Sequence, residues 1–567
     1  MFHKRLEEVS NPIIYIFSSI ACSCICYGIY SDLRGLSIFI AALFFVYILF
    51  YFGAEFCALM AVFFVIGLYV NISYYAIPDK YENIVRVVEI NSYNTIVSVN
   101  GKNIVLDSKY EFIQGRKYYI KGSVVNKPDK YKGIVGSITP YEIAAQNDDY
   151  ISRMYKFKNS IFDRLEENIG KRKSGLITSI AFGDSNNIDS EDKEDMKNYG
   201  IIHSVSVSGL HVAVIYGFLK CILGKGFGLI LAGIYTIFTG CEYSSIRAFI
   251  MLAVVEGAKI FKHNNNSVSS LALSAIILLI YKPYSIMEIS FHLSYLATLG
   301  IILFNRYMNF RLYKLPDKLR EGLSITLSAQ VFVFPYMMII FRDFSMNFIL
   351  GNLLLIHFAD LIVILGNMLI AAYRFSGIFD FISYICLYVI KVFDYITNKI
   401  DMYSLPMFYG NEYMEFLYIW ILISIYFIKR GYRRFIYLPI ISVLVIMINL
   451  YSPVMNIKYY REGGMLISYR GDRVLIVPSK SKTDIERLSK IAMATKSYKI
   501  EDNINFKNKC FIKSLKKDYI LKIDDKEFLL NTSGKGNYSS EYDIINFKNG
   551  PENKIFIIHD KLIKVYS

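Results

Sequence analysis

Residues 199–214 read YGIIHSVSVSGLHVAV, and the reading of that stretch decides the fold. Two histidines, three serines and Gly209 stand there at the mouth of a long apolar run. In lipid such a cluster is costly, because no water is present to satisfy it, so it must face another helix or a hydrated space. The apolar helix that follows starts near Ser208, Gly209, Leu210 and His211. The cluster is therefore either a seam between helices or the wall of something wet.

Composition makes lipid the relevant solvent. Of 567 residues, 54% are hydrophobic and 16% aromatic, while only 20% are charged. A soluble chain of this size carries more charge, so the class is a polytopic α-helical membrane protein. The net charge of +15 is partly topogenic, since Lys and Arg collect in cytoplasmic loops. The remainder suits an anionic partner without naming one. Eight cysteines are present, most of them in or beside apolar runs, and none has CxxC or zinc-ligand spacing. They read as small buried hydrophobes rather than a disulfide framework.

Thirteen apolar segments are expected, some of them short enough to be re-entrant. Three come first, at 12–30, 36–52 and 54–77, each near the ~20 residues a bilayer requires. The first is read as a retained helix rather than a cleaved signal. Lys4 and Arg5 precede it, which puts the N-terminus inside and the segment after the third span outside. Ten more follow the opening stretch, at 211–223, 227–239, 244–260, 267–281, 289–304, 323–341, 348–372, 378–400, 413–428 and 435–451. Basic residues gather in alternate loops, 259–263, 306–320 and 429–434, which returns the C-terminal tail to the outside.

Between the membrane blocks lie polar regions. Residues 79–145 show short β-branched runs and an Asn100-Gly101 turn, the signature of a small OB-like β-barrel. Tyr93, Tyr118 and Tyr119 interleave with Arg116, Lys117 and Lys121. Cations for phosphate and rings for stacking suit single-stranded nucleic acid, and a solvated basic surface over core tyrosines reads equally well. Residues 150–170 are amphipathic, and Asp189 or Ser190 can cap a helix running to Asn198. The acidic stretch 184–195 reads as a solvated helix start before it reads as a metal site. The tail is polar and strand-rich, with a hairpin around Arg470-Gly471-Asp472 and a single histidine, His559. The expected domains are thus 1–78, 79–146, 147–198, 199–452 and 453–567.

Four patches place polar groups inside the spans. The first holds His203, Ser206, Ser208, Gly209 and His211; the second, TGCEYSSIRA, holds Ser245 and Arg247. The third, SFHLSY, holds Ser294, and the fourth, LSAQ, holds Gln330. Each alone fits hydrogen-bonded helix packing. Arg247 is harder to set aside, since intramembrane charges pair or line a path. Ser208 and His211 lack a GxSxG elbow and a spaced carboxylate, so they do not read as a nucleophile and base.

In this order the patches resemble the competence-channel family (ComEC/Rec2). The resemblance rests on AFGDSNNIDSEDKEDMKNYGIIHSVSVSGLHVAVIYG, TGCEYSSIRAFIM, KPYSIMEISFHLSYLATLGIILF and LSAQVFVFPYMMIIF with NFILGNLL. It implies a cell-membrane channel that passes single-stranded DNA inward during natural transformation, with an extracytoplasmic OB-like module. It also implies DNA, membrane lipid and other uptake proteins as partners, a homo-oligomer among the arrangements open to it. On that reading the nine residues of the four patches line the channel, and no cofactor is expected. Many relatives carry a metallo-β-lactamase-like domain after the core. Here GGMLISYRGDRVLIVPSKS resembles its opening hairpin, but Pro478-Ser479 stands where Asp-x-Gly is expected and no HxHxDH follows. The tail is read as a degenerate remnant without metal or nuclease activity. No Walker A loop is present, so an ATP-driven motor would be a separate protein. The alternatives are a transporter of another anionic polymer or lipid-linked precursor, and a decayed relative without a transport role.

Overall fold

The structure is a computed structural model. It describes every residue except 1–10, 79, 91–93, 109, 261–265, 461–462, 479–483, 501–503, 507–509, 516–517, 524–525, 532–542, 548–551, 559–560 and 567. Lys4, Arg5, Tyr93, His263 and His559 fall outside the described residues. The chain divides into two compact units, 1–333 with 345–406, and 334–344 with 407–567.

The first unit begins with α1 (Pro12–Ile29), α2 (Arg34–Phe52) and α3 (Ala54–Tyr75). Small and polar residues join these helices, as expected where lipid removes any hydrophobic drive for association. Ser19 Oγ donates to the Met60 carbonyl at 2.6 Å and Ser37 Oγ to the Cys26 carbonyl at 2.9 Å. The seven described cysteines are all free.

Next come β1 (Lys80–Ile90), β2 (Thr95–Val99), β3 (Lys102–Leu106), β4 (Lys117–Val125) and β5 (Ile134–Ala145). They form a closed barrel in the order β1-β2-β3-β5-β4, with β3 and β5 parallel and the other neighbours antiparallel. The β2–β3 hairpin turns on Asn100 and Gly101, both at positive φ (49° and 83°), the backbone that Asn-Gly supplies most readily. Alternate residues fill the interior, among them Val85, Val97, Ile104, Ile120 and Ile138. Tyr74 of α3 holds the barrel by donating to the Gly133 carbonyl at 2.8 Å.

The membrane core follows, as α4 (Tyr150–Ile169), α5 (Lys171–Phe182), α6 (Ser190–Asn198), α7 (Gly209–Leu223), α8 (Lys225–Phe238), α9 (Tyr243–Ile260), α10 (Ser267–Tyr281) and α11 (Ile289–Arg311). After them run α12 (Asp317–Ile340), α13 (Phe348–Leu350), a π turn at Gly351–Leu355, α14 (Ile356–Ala372) and α15 (Ser376–Asp401). The amphipathic α4 buries Ile161, Leu165 and Ile169 in the core it shares with α5 and α15. Asp149 caps it, accepting from the Ser152 N–H at 3.0 Å.

In the second unit β6 (Asp343–Phe344) pairs with β7 (Phe408–Tyr409), and α16 (Glu412–Lys429) and α17 (Tyr437–Leu450) follow. Then come β8 (Met455–Tyr460), β9 (Gly464–Tyr469), β10 (Asp472–Pro478), α18 (Ile485–Ile491) and β11 (Lys496–Ile500). The chain ends through β12 (Ile504–Phe506), β13 (Cys510–Leu515), β14 (Asp518–Ile523), β15 (Lys526–Asn531), β16 (Asp543–Asn546), β17 (Glu552–Ile558) and β18 (Lys561–Tyr566). One sheet runs β11-β10-β9-β8-β17-β18 and the other β12-β13-β14-β15-β16. Met465, Ile467, Leu521 and Leu530 join the two in one core, while Leu466, Leu475 and Val477 face α18.

Each of the thirteen expected apolar segments is helical. Among the described residues, seven helices are long and apolar enough to cross a membrane: α1, α2, α3, α12, the 348–372 segment, α15 and the 433–450 segment. The helices α7, α8 and α10 are apolar but shorter. The expected boundary at 452 lies inside the second unit, where Phe334 packs on Phe344 at 4.9 Å and on Tyr418 of α16 at 5.5 Å.

Candidate functional site

The opening stretch folds as a short irregular entry to α7. Tyr199 ends α6, and its hydroxyl reaches Asp401 at 3.3 Å. Gly200 turns the chain at φ 70° with Phe348 packed against it. A 3₁₀ turn at Ile202–Ser204 then leads to Ser208, the N-cap of α7.

Three segments converge here. Arg247, on the first turns of α9, donates from Nε to Ser294 Oγ of α11 at 2.8 Å. Its Nη1 donates to Met251 Sδ at 3.8 Å. Ser244 Oγ donates to the Val207 carbonyl at 2.7 Å, tying α9 to the stretch before α7. A Cβ on Gly209 would lie 2.6 Å from Arg247 Nη2 and 3.2 Å from Ala248 Cβ. Gly209 is thus the residue that lets the guanidinium reach Ser294. No carboxylate forms an ion pair with Arg247 among the described residues, so its charge is held by neutral partners alone.

His203 and Ser206 are exposed. His203 lies close to His211 and bonds to the Gly200 backbone. Buried polar atoms without a partner among the described residues cluster nearby: Ser204 Oγ, Ser208 Oγ and His211 Nε2. Groups of that kind are rare in a dry core.

The structure brings together His203, Ser208, Gly209, His211, Arg247 and Ser294. Two of the expected lining residues are fully buried and take part in helix starts. His211 is fully buried, and its Nδ1 accepts from the Ser208 N–H at 3.2 Å, closing the first turn of α7. Ser245 is fully buried and donates to the Glu242 carbonyl at 2.9 Å. Both serve helix starts, where unsatisfied backbone groups attract short polar side chains. Gln330 stands apart on α12, which meets α11 where Gly300 abuts the Ser328 carbonyl. No bond joins Gln330 to Arg247 among the described residues.

On the barrel, Tyr118 is a core residue, 1% exposed, with its hydroxyl accepting from the Ile113 N–H at 3.1 Å. It offers no face to a base, because β4 alternates and Tyr118 points inward. The cations beside it are already engaged. Lys117 pairs with Asp149 at 3.1 Å, and Asp149 also holds Arg86. Lys121 pairs with Glu82 at 3.1 Å and Glu142 at 3.6 Å, while Tyr119 donates to Glu82. Arg116 donates to the Gln146 carbonyl at 3.3 Å.

In the acidic stretch, Asp189 caps α6 through the Glu191 N–H at 3.2 Å. Asp192 takes Arg172 at 2.5 Å, and Arg172 also meets Asp394 of α15 at 3.2 Å. This is a strut between helices. Sequence reading overlooked His357 and Asp360 on α14, one turn apart in a candidate span. Asp360 Oδ1 is buried without a partner among the described residues. The signal was available, since an ionisable residue inside the apolar run 348–372 is a functional candidate by default.

Residues 180–431 match the family model described as "Competence protein". ComE operon protein 3 of Bacillus subtilis (strain 168) is 21% identical over 296 residues, covering 50% of this chain. The chain spans 38% of the length of that curated relative. No solved structure matches the chain.

Proposed function

We propose, from the premise that this chain belongs through residues 180–431 to the competence-protein family (ComEC/Rec2), that it serves DNA uptake as a membrane channel for a single DNA strand. The observation that carries the reading is Arg247. A guanidinium held by a serine hydroxyl and a thioether, without a counter-ion among the described residues, is expensive in a membrane core. A polyanion passing the site would supply the missing charge. Ser294 orients the guanidinium, Gly209 makes room for it, and His203 and Ser206 give the wall polar groups that tolerate any base.

The barrel is read as an OB fold, supported by its closed β1-β2-β3-β5-β4 order with β3 and β5 parallel. The proposal keeps Arg116, Lys117, Tyr119 and Lys121 as a surface flanking the strand and removes Tyr118 from it. It assigns the chain no catalytic step and no cofactor, and leaves the motor to a separate protein. The barrel and the tail would lie outside the cell and the N-terminus inside.

The test is deletion of the gene followed by an assay for internalised, nuclease-protected labelled DNA beside one for surface-bound DNA. The channel reading requires surface binding to persist while internalisation is lost. Undiminished internalisation overturns it. Normal DNA uptake with impaired export of another anionic polymer would support the alternative transporter.

A further inference from the structure

The second unit holds a pocket that the channel reading does not use. One face of its larger sheet contributes Lys458, Arg473 and Lys554, the start of α16 contributes Asn411 and Glu412, and Arg342 completes it. The register places Lys458 of β8 directly opposite Lys554 of β17, and like charges so placed repel. Arg473 stands on the same face, one row along, through the pairs Asn456 with Ser468 and Ser468 with Arg473. Glu412 is the only acidic residue in the lining among the described residues. It takes Lys458 at 2.6 Å and Arg342 at 3.4 Å. Arg473 donates to the Ala492 carbonyl at 3.1 and 2.7 Å, and neither it nor Lys554 forms an ion pair among the described residues. Among the described residues of the lining, four cations thus face one carboxylate. Burial and the neighbouring Lys458 and Arg473 hold the Lys554 ammonium below the usual lysine range.

A second observation is independent of that charge count. Asn411 is 6% exposed and caps α16, its Oδ1 accepting from the Tyr413 and Met414 N–H groups at 3.0 Å each. Those bonds fix the amide's orientation. Its Nδ2 is left as a buried donor with no partner among the described residues. Donors of three kinds, guanidinium, ammonium and amide, thus surround one space at the positive end of an 18-residue helix.

We propose that this pocket binds a single phosphate group. A tetrahedral phosphate, monoanionic as a phospholipid diester and up to dianionic when free, accepts from the unpaired donors and offsets the repulsion between Lys458 and Lys554. The apolar α16 begins at the pocket, so the phosphate is either free or the headgroup of an anionic phospholipid. The inference stands apart from DNA passage and holds whether or not Arg247 lines a channel.

The purified full chain in phosphate-free detergent is titrated with inorganic phosphate at constant ionic strength and followed by calorimetry. Saturable one-to-one binding is expected, weakened about tenfold by Lys554→Gln. Glu412→Gln, which removes the competing carboxylate, is expected to tighten it, a gain that misfolding does not produce. In phosphatidylglycerol nanodiscs, one lipid retained by the wild type but not by Lys554→Gln, with phosphate binding abolished, identifies the headgroup as the source. Undiminished phosphate binding in the nanodiscs identifies free phosphate. Absence of both saturable phosphate binding and Lys554-dependent lipid retention overturns the proposal, as do equal affinities in all three proteins. Displacement of phosphate by an oligonucleotide lacking terminal phosphates also overturns it, in favour of a nucleic-acid contact.

Discussion

At the residue scale, polar side chains near helix starts divide into those that finish a backbone and those that are left over. Ser245 and the Nδ1 of His211 belong to the first kind, Arg247 to the second. Spacing cannot tell them apart, because a cap and a wall residue both sit in the first turn. What separates them is the partner, and partners are set by the fold. Asp149 shows the same economy on the barrel, serving as the cap of α4 and as counter-ion to Arg86 and Lys117. Asp149→Asn keeps the cap while removing the charge and is expected to cost about 1 kcal/mol. Asp149→Ala removes both and should cost about 2 kcal/mol. Denaturant melting of the two variants checks the order. The Arg86 guanidinium beside it, with further help from the Ser152 N–H, holds the Asp149 carboxyl below the usual carboxylate range. A depressed pKa means that this stabilisation is complete above the unfolded value of about 4 and is lost as pH falls through the folded one. The wild type should therefore lose the difference from Asp149→Asn in acid, where melting curves of the two converge.

At the element scale, much was legible and for identifiable reasons. Thirteen apolar runs read as helices because length and hydropathy survive any packing. The Asn100-Gly101 and Arg470-Gly471 hairpins read correctly because their positive φ values demand such residues. Tyr118 misled because a two-residue period says which residues share a face and leaves open which face is inward. The π turn at Gly351–Leu355 was invisible, since it arises where Gly351 abuts the Tyr199 carbonyl. Gly351→Ala places a methyl group against that carbonyl and should destabilise the first unit by about 1–3 kcal/mol. A lowered melting temperature in detergent would bear this out, and an unchanged one would show that the contact yields freely. The engaged cations of the barrel carry their own expectation. Lys121→Gln should change DNA internalisation less than about twofold, because exposed pairs contribute little, whereas a large loss would make that face a principal DNA contact.

At the scale of the whole molecule, the tail packs as two sheets with α16 and α17 in its unit, and charge runs alone did not reveal that those helices go with it. Orientation remains a matter of loop charge. A Cys placed at Tyr141, which is 75% exposed on the barrel, should react with an impermeant maleimide on intact cells. One placed at Tyr313, in the basic loop after α11 and 64% exposed, should react only after permeabilisation; the reverse pattern would invert the topology. The central claim concerns the cation at the meeting of α7, α9 and α11, and internalised labelled DNA measured in Arg247→Glu and Arg247→Lys cells at equal membrane levels tests it most directly. Charge reversal is predicted to lower internalisation roughly a hundredfold, equivalent to about 2.7 kcal/mol on the barrier, while lysine retains a substantial part. Wild-type internalisation by Arg247→Glu would contradict the account.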